Sequence, residues 1–200
     1  MTPNVLKMEI FPVAGRDSME LNLSGAHAPY FTRNIVVLTD SEGRTGVGEV
    51  PGGEKIAAAL EEVKPMVEGT SVGDYRNTIL AVNRYLSARN EKDVRGAQTF
   101  DLRVGVHVLT AIQTPLLDLL GKYLGEPVAS LLGDGQQRES VRMLGYLFFI
   151  GDRRKTDLPY DQEEDGSCAW YRLRDEEALT SGAIVELAKA AYEKYGFQDF

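Results

Sequence analysis

"TSGAIVELAKAAYEKYGFQDF", Thr180–Phe200, decides how the second half of this 200-residue chain is read. Thr180 is a hydroxyl residue placed to cap a helix. Gly196 is placed to stop one, because glycine enters the left-handed conformation without a Cβ penalty. Between them Ile184, Leu187, Ala188, Ala191 and Tyr195 fall on one helical face. "FQDF" then begins a β-strand. Upstream, "VRMLGYLFFI" (Val141–Ile150) is an apolar run of strand length, suited to burial on both faces. Strand, helix and strand onset together predict the opening of a parallel βα array, since parallel strands need a crossover long enough for a helix. With only the 181–195 helix to cover it, the 141–150 run is expected to leave apolar surface in water.

The first half has a different grammar. Val5–Val13 is rich in β-favouring residues, with Lys7 and Glu9 alternating against Met8 and Ile10. Asn34–Thr39 ("NIVVLT") predicts a second strand, "DSEGRTG" a turn, and Val47–Val50 a third strand. Three consecutive strands imply an antiparallel meander from which a long loop, residues 14–33, hangs. Ile56, Leu60, Val63 and Val67 then share a helical face, as do Ile79, Val82 and Leu86 within Val72–Ala88. Val104–Leu124 is the longest and most apolar helix. Pro115 inside it is expected to bend or split it, because proline lacks one hydrogen-bond donor and crowds the preceding turn. "LLGDGQQRE", polar and glycine-rich, reads as a boundary between domains 1–135 and 136–200. Residues 151–178, charged and punctuated by Pro and Gly, read as an insertion or a long loop. Because the second domain ends as it enters a strand, the chain is expected to be the N-terminal part of something longer.

Composition narrows the partners. With 30 acidic against 22 basic residues the net charge is −8, and no Lys/Arg run offers a surface for nucleic-acid phosphates. An anionic small molecule remains compatible, since local positive groups outweigh a negative average inside a pocket. No apolar run is read as approaching a membrane span, and "MTPNVLKMEI" lacks the basic and apolar regions of a secretory signal. Cys168 is the only cysteine, which excludes an internal disulfide and fits a reducing cytoplasm.

Read residue by residue, no catalytic constellation assembles. His27 lies in "LSGAHAPYFTRN", a loop where binding residues concentrate, yet spacing alone favours an ordinary surface histidine there. His107 reads as a packed or interface histidine. Thr99 reads as a helix cap or turn hydroxyl, and Tyr146 as a core aromatic with a satisfied hydroxyl. Asp161, Glu163, Glu164 and Asp165 read as a solvated loop. The glycines of "RTGVGEVPGGEK" lack the Gly-Lys-Ser/Thr of a phosphate loop and read as turn formers, and no metal-binding spacing is present.

Longer words are more specific. "PVAGRDSM", "NLSGAHAPYFTRN", "TGVGEVPGGEKI", "QTFDLR", "LDLLG", "VASLLGDGQQR", "MLGYLFFIG", "CAWYRLR" and "AYEKYGFQDF" resemble the N-terminal part of the D-glucarate dehydratase family of the enolase superfamily, over essentially the whole chain. The resemblance implies an α+β capping domain (a three-stranded antiparallel meander plus helices) followed by the first βα unit of a modified TIM barrel. It implies that "LSGAHAPYFTRN" is a specificity loop closing over a six-carbon dicarboxylate sugar acid. His27, Thr99 and Tyr146 match that family's substrate contacts. The chemistry implied is a Mg²⁺-assisted β-elimination of water from D-glucarate, with L-idarate as a second substrate, in a cytoplasmic homo-oligomer. The family's base lysine, in a Lys-x-Lys pair, and its metal carboxylates match nothing here and are expected beyond Phe200, since such a barrel typically needs about 250 residues. Two other readings stand beside it: another aldarate dehydratase or weakly active paralogue, and a non-catalytic capping or binding module.

Overall fold

The structure, a computed structural model, describes residues 2–16, 22–23, 26–27, 30–88, 104–155 and 166–200, with backbone alone at Arg16, Asn22, Leu23, Ala26, His27, Tyr30 and Lys155. It divides into two compact units, one of Met1–Ala14 with Thr32–Gln137, the other of Gly15–Phe31 with Arg138–Phe200.

The first unit is a three-stranded antiparallel sheet, order β1 (Val5–Arg16), β4 (Tyr30–Asp40), β5 (Thr45–Pro51), backed by helices α1 (Glu54–Val67), α2 (Tyr75–Ala88) and α3 (Val104–Leu124). The strands between, β2 (Asn22–Leu23) and β3 (Ala26–His27), form a separate ribbon. In β4 the apolar positions alternate, so Val36 and Leu38 point to one face and are fully buried. Against them pack Ile56, Leu60 and Val63 of α1 and Ile112, Leu116 and Leu119 of α3, each an i, i+3/i+4/i+7 set. The β4–β5 register runs from Arg33↔Pro51 to Thr39↔Thr45, and the helix-facing positions of β5 are Gly46, Gly48 and Val50.

Those glycines explain a departure from expectation. Pro115 does not split α3, which is one continuous helix of 21 residues. A Cβ at Gly48 would lie 2.7 Å from both the Ala111 carbonyl oxygen and Pro115 Cδ, and one at Gly46 would lie 2.2 Å from the Pro115 carbonyl oxygen. The proline ring and the carbonyl it frees therefore nest against bare backbone, and the helix runs on through the contact. Thr110 and Thr114 hydroxyls donate to the carbonyls of Val106 and Thr110, both at 2.9 Å, on the same stretch. By length and composition α3 would also suffice to cross a membrane, against the sequence-based expectation. In the fold its apolar face is buried against β5, α1 and α2.

Both edges of the sheet are covered. The Val47 amide donates to Asp118 Oδ2 at 3.2 Å, and Lys122 Nζ donates to the Thr45 carbonyl at 2.6 Å. At the other edge the Val5 amide donates to the Thr70 carbonyl at 2.9 Å, the Gly69 amide to the Val5 carbonyl at 2.7 Å, and the Met8 amide to Glu68 Oε1 at 2.9 Å. Open strand edges invite a further strand, and here helix side chains and a helix C-terminal segment occupy those groups.

The second unit holds α5 (Ala169–Arg174) and α6 (Ser181–Tyr195) around Trp170, Leu187, Ala190 and Ala191; the short α4 (Val128–Leu131) belongs to the first unit. α5 lies inside the stretch expected to be a loop. The 141–150 run is not a regular strand. Leu144 bridges Asp199 and Ile150 bridges Glu177, both in parallel, and the residues between have no ladder. Leu147, Phe148 and Ile150 turn inward, while Val141, Met143, Leu144 and Phe149 are exposed. The regular strand is thus corrected, whereas the expected apolar surface in water is present: α5 and α6 cover one side of the run only. The direction of both bridges is that of an opening βα unit.

Thr180 caps α6 as the sequence implies, its Oγ1 accepting from the Ala183 amide at 3.2 Å, and Gly196 ends the helix at φ 73°. Tyr195 differs from expectation, being exposed with its ring set edge-on to Trp170 at 5.7 Å. Thr180→Ala should cost about 1 kcal/mol, as typical for a lost N-cap. Urea unfolding followed by the fluorescence of the sole tryptophan, Trp170, reads that loss in the unit where it occurs.

Candidate functional site

The segment expected to be a loose 14–33 loop is more extended than its composition suggests. β1 continues to Arg16 and β4 begins at Tyr30. The ring of Phe31 lies over Gly15, where a Cβ would stand 2.6 Å from Phe31 Cζ; glycine is what admits the ring. Between the strands the ribbon pairs Asn22 with His27 and Leu23 with Ala26, antiparallel. The backbone of His27 is thereby held in a strand pairing, although its composition reads as loop.

Tyr146 is the second expected contact, and its environment overturns the reading as a core aromatic. It is 73% exposed. Its ring stacks on Phe148 with centroids 5.1 Å apart and planes at 30°, and Phe148 packs against the Trp170 cluster. The phenol is therefore presented outward on a ring anchored to the unit's core. The backbone just before it is fixed from the other side: the Gly145 amide donates to the Asp199 carbonyl at 2.8 Å, and a Cβ at Gly145 would meet the Phe197 ring at 2.9 Å. Arg142 adds an ion pair to Asp199 at 2.5 Å and donates to Gln198 Oε1 at 3.2 Å. Sequence reasoning missed Phe148, Phe197 and Arg142 as supports for this tyrosine. The glycine directly before it was the available signal.

Gly15–Phe31 and Arg138–Phe200 form one compact unit, so the His27 backbone and Tyr146 belong to the same body. Thr99 lies outside the described residues, as do Asp161, Glu163, Glu164 and Asp165. His107 is half-buried on α3. Among the described residues no three His, Cys, Asp or Glu side chains converge to hold a metal ion, so these residues do not fit a magnesium site.

The whole chain superimposes on solved enolases. A Pseudomonas fluorescens enolase with bound magnesium, potassium and tartrate matches 99% of this chain with a TM-score of 0.79 and 27% identity, over 44% of its own length. The chain resembles the enolase superfamily. A second enolase-like match, from Mycobacterium smegmatis and complexed with tartrate, covers 98% of this chain with a TM-score of 0.75 and 26% identity, over 42% of its own length. In sequence, a protein of Streptomyces coelicolor named as a probable glucarate dehydratase is 29% identical over 203 residues, 98% of this chain and 44% of that protein. This enolase-like chain thus spans less than half the length of the relatives it matches. No protein-family model matches it.

Proposed function

We propose that this chain is the substrate-capping share of a magnesium-dependent sugar-acid dehydratase acting on D-glucarate. The similarity that spans 99% of the chain, to an enolase carrying tartrate and magnesium, supports this reading most directly. A sequence relative named as a probable glucarate dehydratase narrows it from diacids in general to a six-carbon aldarate. The division into domains 1–135 and 136–200 belongs to the same proposal.

In the proposed reaction the C–H bond α to a carboxylate breaks, the neighbouring C–O bond breaks, and the hydroxyl leaves as water. The resulting enol ketonises to 5-dehydro-4-deoxy-D-glucarate. This chain contributes recognition. The Tyr146 phenol, carried outward on the Phe148 stack, donates a hydrogen bond to a substrate oxygen. His27 and Thr99 supply further polar contacts. Magnesium and the base are proposed to be held outside the described residues, within a cytoplasmic homo-oligomer.

Assay of the full-length enzyme carrying this chain, with magnesium and a panel of aldarates that includes tartrate and L-idarate, tests the substrate. D-glucarate should give the highest kcat/KM; preference for another diacid would leave a dehydratase of different specificity. In that enzyme His27→Ala should lower kcat/KM for glucarate by about 10- to 100-fold, the loss of one polar contact to a charged substrate. Thermal stability should hardly change. Unaltered kinetics would make His27 an ordinary surface histidine.

A further inference from the structure

We propose that α5 carries a binding site for a small carboxylate, with Trp170 and Arg174 as its donors. The two residues are four apart on the helix, a spacing that sets side chains on one face one turn from each other. Both are buried, Trp170 at 6% and Arg174 at 8% exposure. Trp170 Nε1 and Arg174 Nε are each closed off from solvent, and among the described residues neither has a hydrogen-bond acceptor.

Five other arginines of this molecule are placed differently. Arg33, Arg44, Arg142, Arg154 and Arg172 are all more exposed, and each has a carboxylate oxygen within about 3 Å or less: Glu49 at 2.9 Å, Asp40 at 2.9 Å, Asp199 at 2.5 Å, Asp152 at 2.8 Å and Glu176 at 3.1 Å. Among the described residues the buried Arg174 has only Asp175 Oδ1 at 3.9 Å from its Nε, beyond hydrogen-bonding distance, and the Tyr171 ring at 5.8 Å. A guanidinium cannot discharge by losing its proton, and an indole N–H donates without accepting. Burying both without an acceptor is costly, so the site is built for a group that accepts from two N–H donors. A carboxylate meets that demand, because its two oxygens match the planar fork of arginine and leave lone pairs for the indole. The proposal stands apart from the capping role of His27, Thr99 and Tyr146, since it draws on none of them.

Trp170 is the only tryptophan in the chain, so its fluorescence reports the site directly. The experiment titrates the 200-residue chain with sodium acetate, against sodium chloride at matched ionic strength. A saturable change specific to acetate is expected. Arg174→Met should abolish it, and Arg174→Lys, which keeps the charge but loses the fork, should weaken it about tenfold. Arg172→Met, which removes the exposed arginine paired with Glu176, should leave it unchanged. Far-UV circular dichroism establishes that each variant is folded. Absence of a saturable response in the unmodified chain overturns the proposal whatever the variants do. So does an equal response in folded Arg174→Met or Arg174→Lys.

Discussion

Gly46→Ala should lower the melting temperature by roughly 10 °C, the largest effect expected of any single methyl group in this chain. The added carbon would lie 2.2 Å from the Pro115 carbonyl oxygen and 2.9 Å from Leu119 Cγ. The nearer collision is with backbone held in a continuous helix, so no side chain can swing aside to relieve it. β5 and α3 must separate, which opens the contact between sheet and helices along its length. Overpacking of this kind costs about 3–5 kcal/mol when the neighbour cannot yield. In a chain of this size each kcal/mol corresponds to about 2–4 °C. Gly43→Ala is the matched control. Gly43 has φ 81° with nothing within 4 Å of an added Cβ, so only the left-handed conformation, about 1–2 kcal/mol, is penalised. Equal melting temperatures for the two variants would show that β5 and α3 do not interlock as described.

Asp40→Ala should destabilise the chain by about 3 kcal/mol and flatten its response to acid. The side chain is fully buried at the β4–β5 turn. Oδ1 accepts from the amides of Glu42 and Arg44, each at 2.9 Å, and Oδ2 accepts from Arg44 Nη1 at 2.9 Å. Arg44 also reaches Glu42 and lies 5.5 Å from the Tyr123 ring centroid. Alanine would strand two amides and weaken the hold on the guanidinium. Burial by itself raises the pKa of this carboxyl, but the Arg44 backbone and guanidinium and the Glu42 amide outweigh it and hold the value below the ordinary 3.8. The ionised form is therefore favoured in the folded state. Its contribution is complete above the unfolded value of about 3.9 and disappears as pH falls through the lower, folded value. Urea midpoints measured from pH 6 down to pH 2.5 should converge for the parent chain and Asp40→Asn at the acid end. Parallel curves would mean that another carboxylate governs acid unfolding.

Much of the first unit is legible in its sequence because one physical rule operates at a time. Val36 and Leu38 alternate with half-buried residues, and Ile56, Leu60, Val63 and Val67 repeat at helical spacing; all are buried as that spacing implies. Where two rules compete, the longer-range one prevails. Proline breaks helices locally, yet at Pro115 the glycines of a strand some 70 residues earlier remove the conflict. The continuation of β1 and β4 into residues of loop-like composition follows from pairing across the sheet, which no local window contains. α5 escapes because six residues are too few to show a period, and one of its buried positions is an arginine. The 141–150 run shows that apolarity measures a tendency to be covered, whereas a strand also needs hydrogen-bonding neighbours. Of the proposed substrate contacts, none was legible from spacing. Tyr146 sits in an apolar run and faces outward, the reverse of what the run implies.

The covering of β5 by α3 also has a clock. The Val47 amide finds Asp118 across 71 positions of chain, and the Thr45 carbonyl finds Lys122 across 77. At roughly 5–20 residues per second, a ribosome that has released β5 needs about 4–14 s more to deliver its cover. Hairpins form in about 1–10 μs. The nascent β4–β5 hairpin therefore waits with an open side for a time more than a hundred thousand-fold longer than its own formation. Helix α3, the most apolar segment, emerges after the sheet and after α1 and α2, and meets a strand whose glycines are already waiting for it.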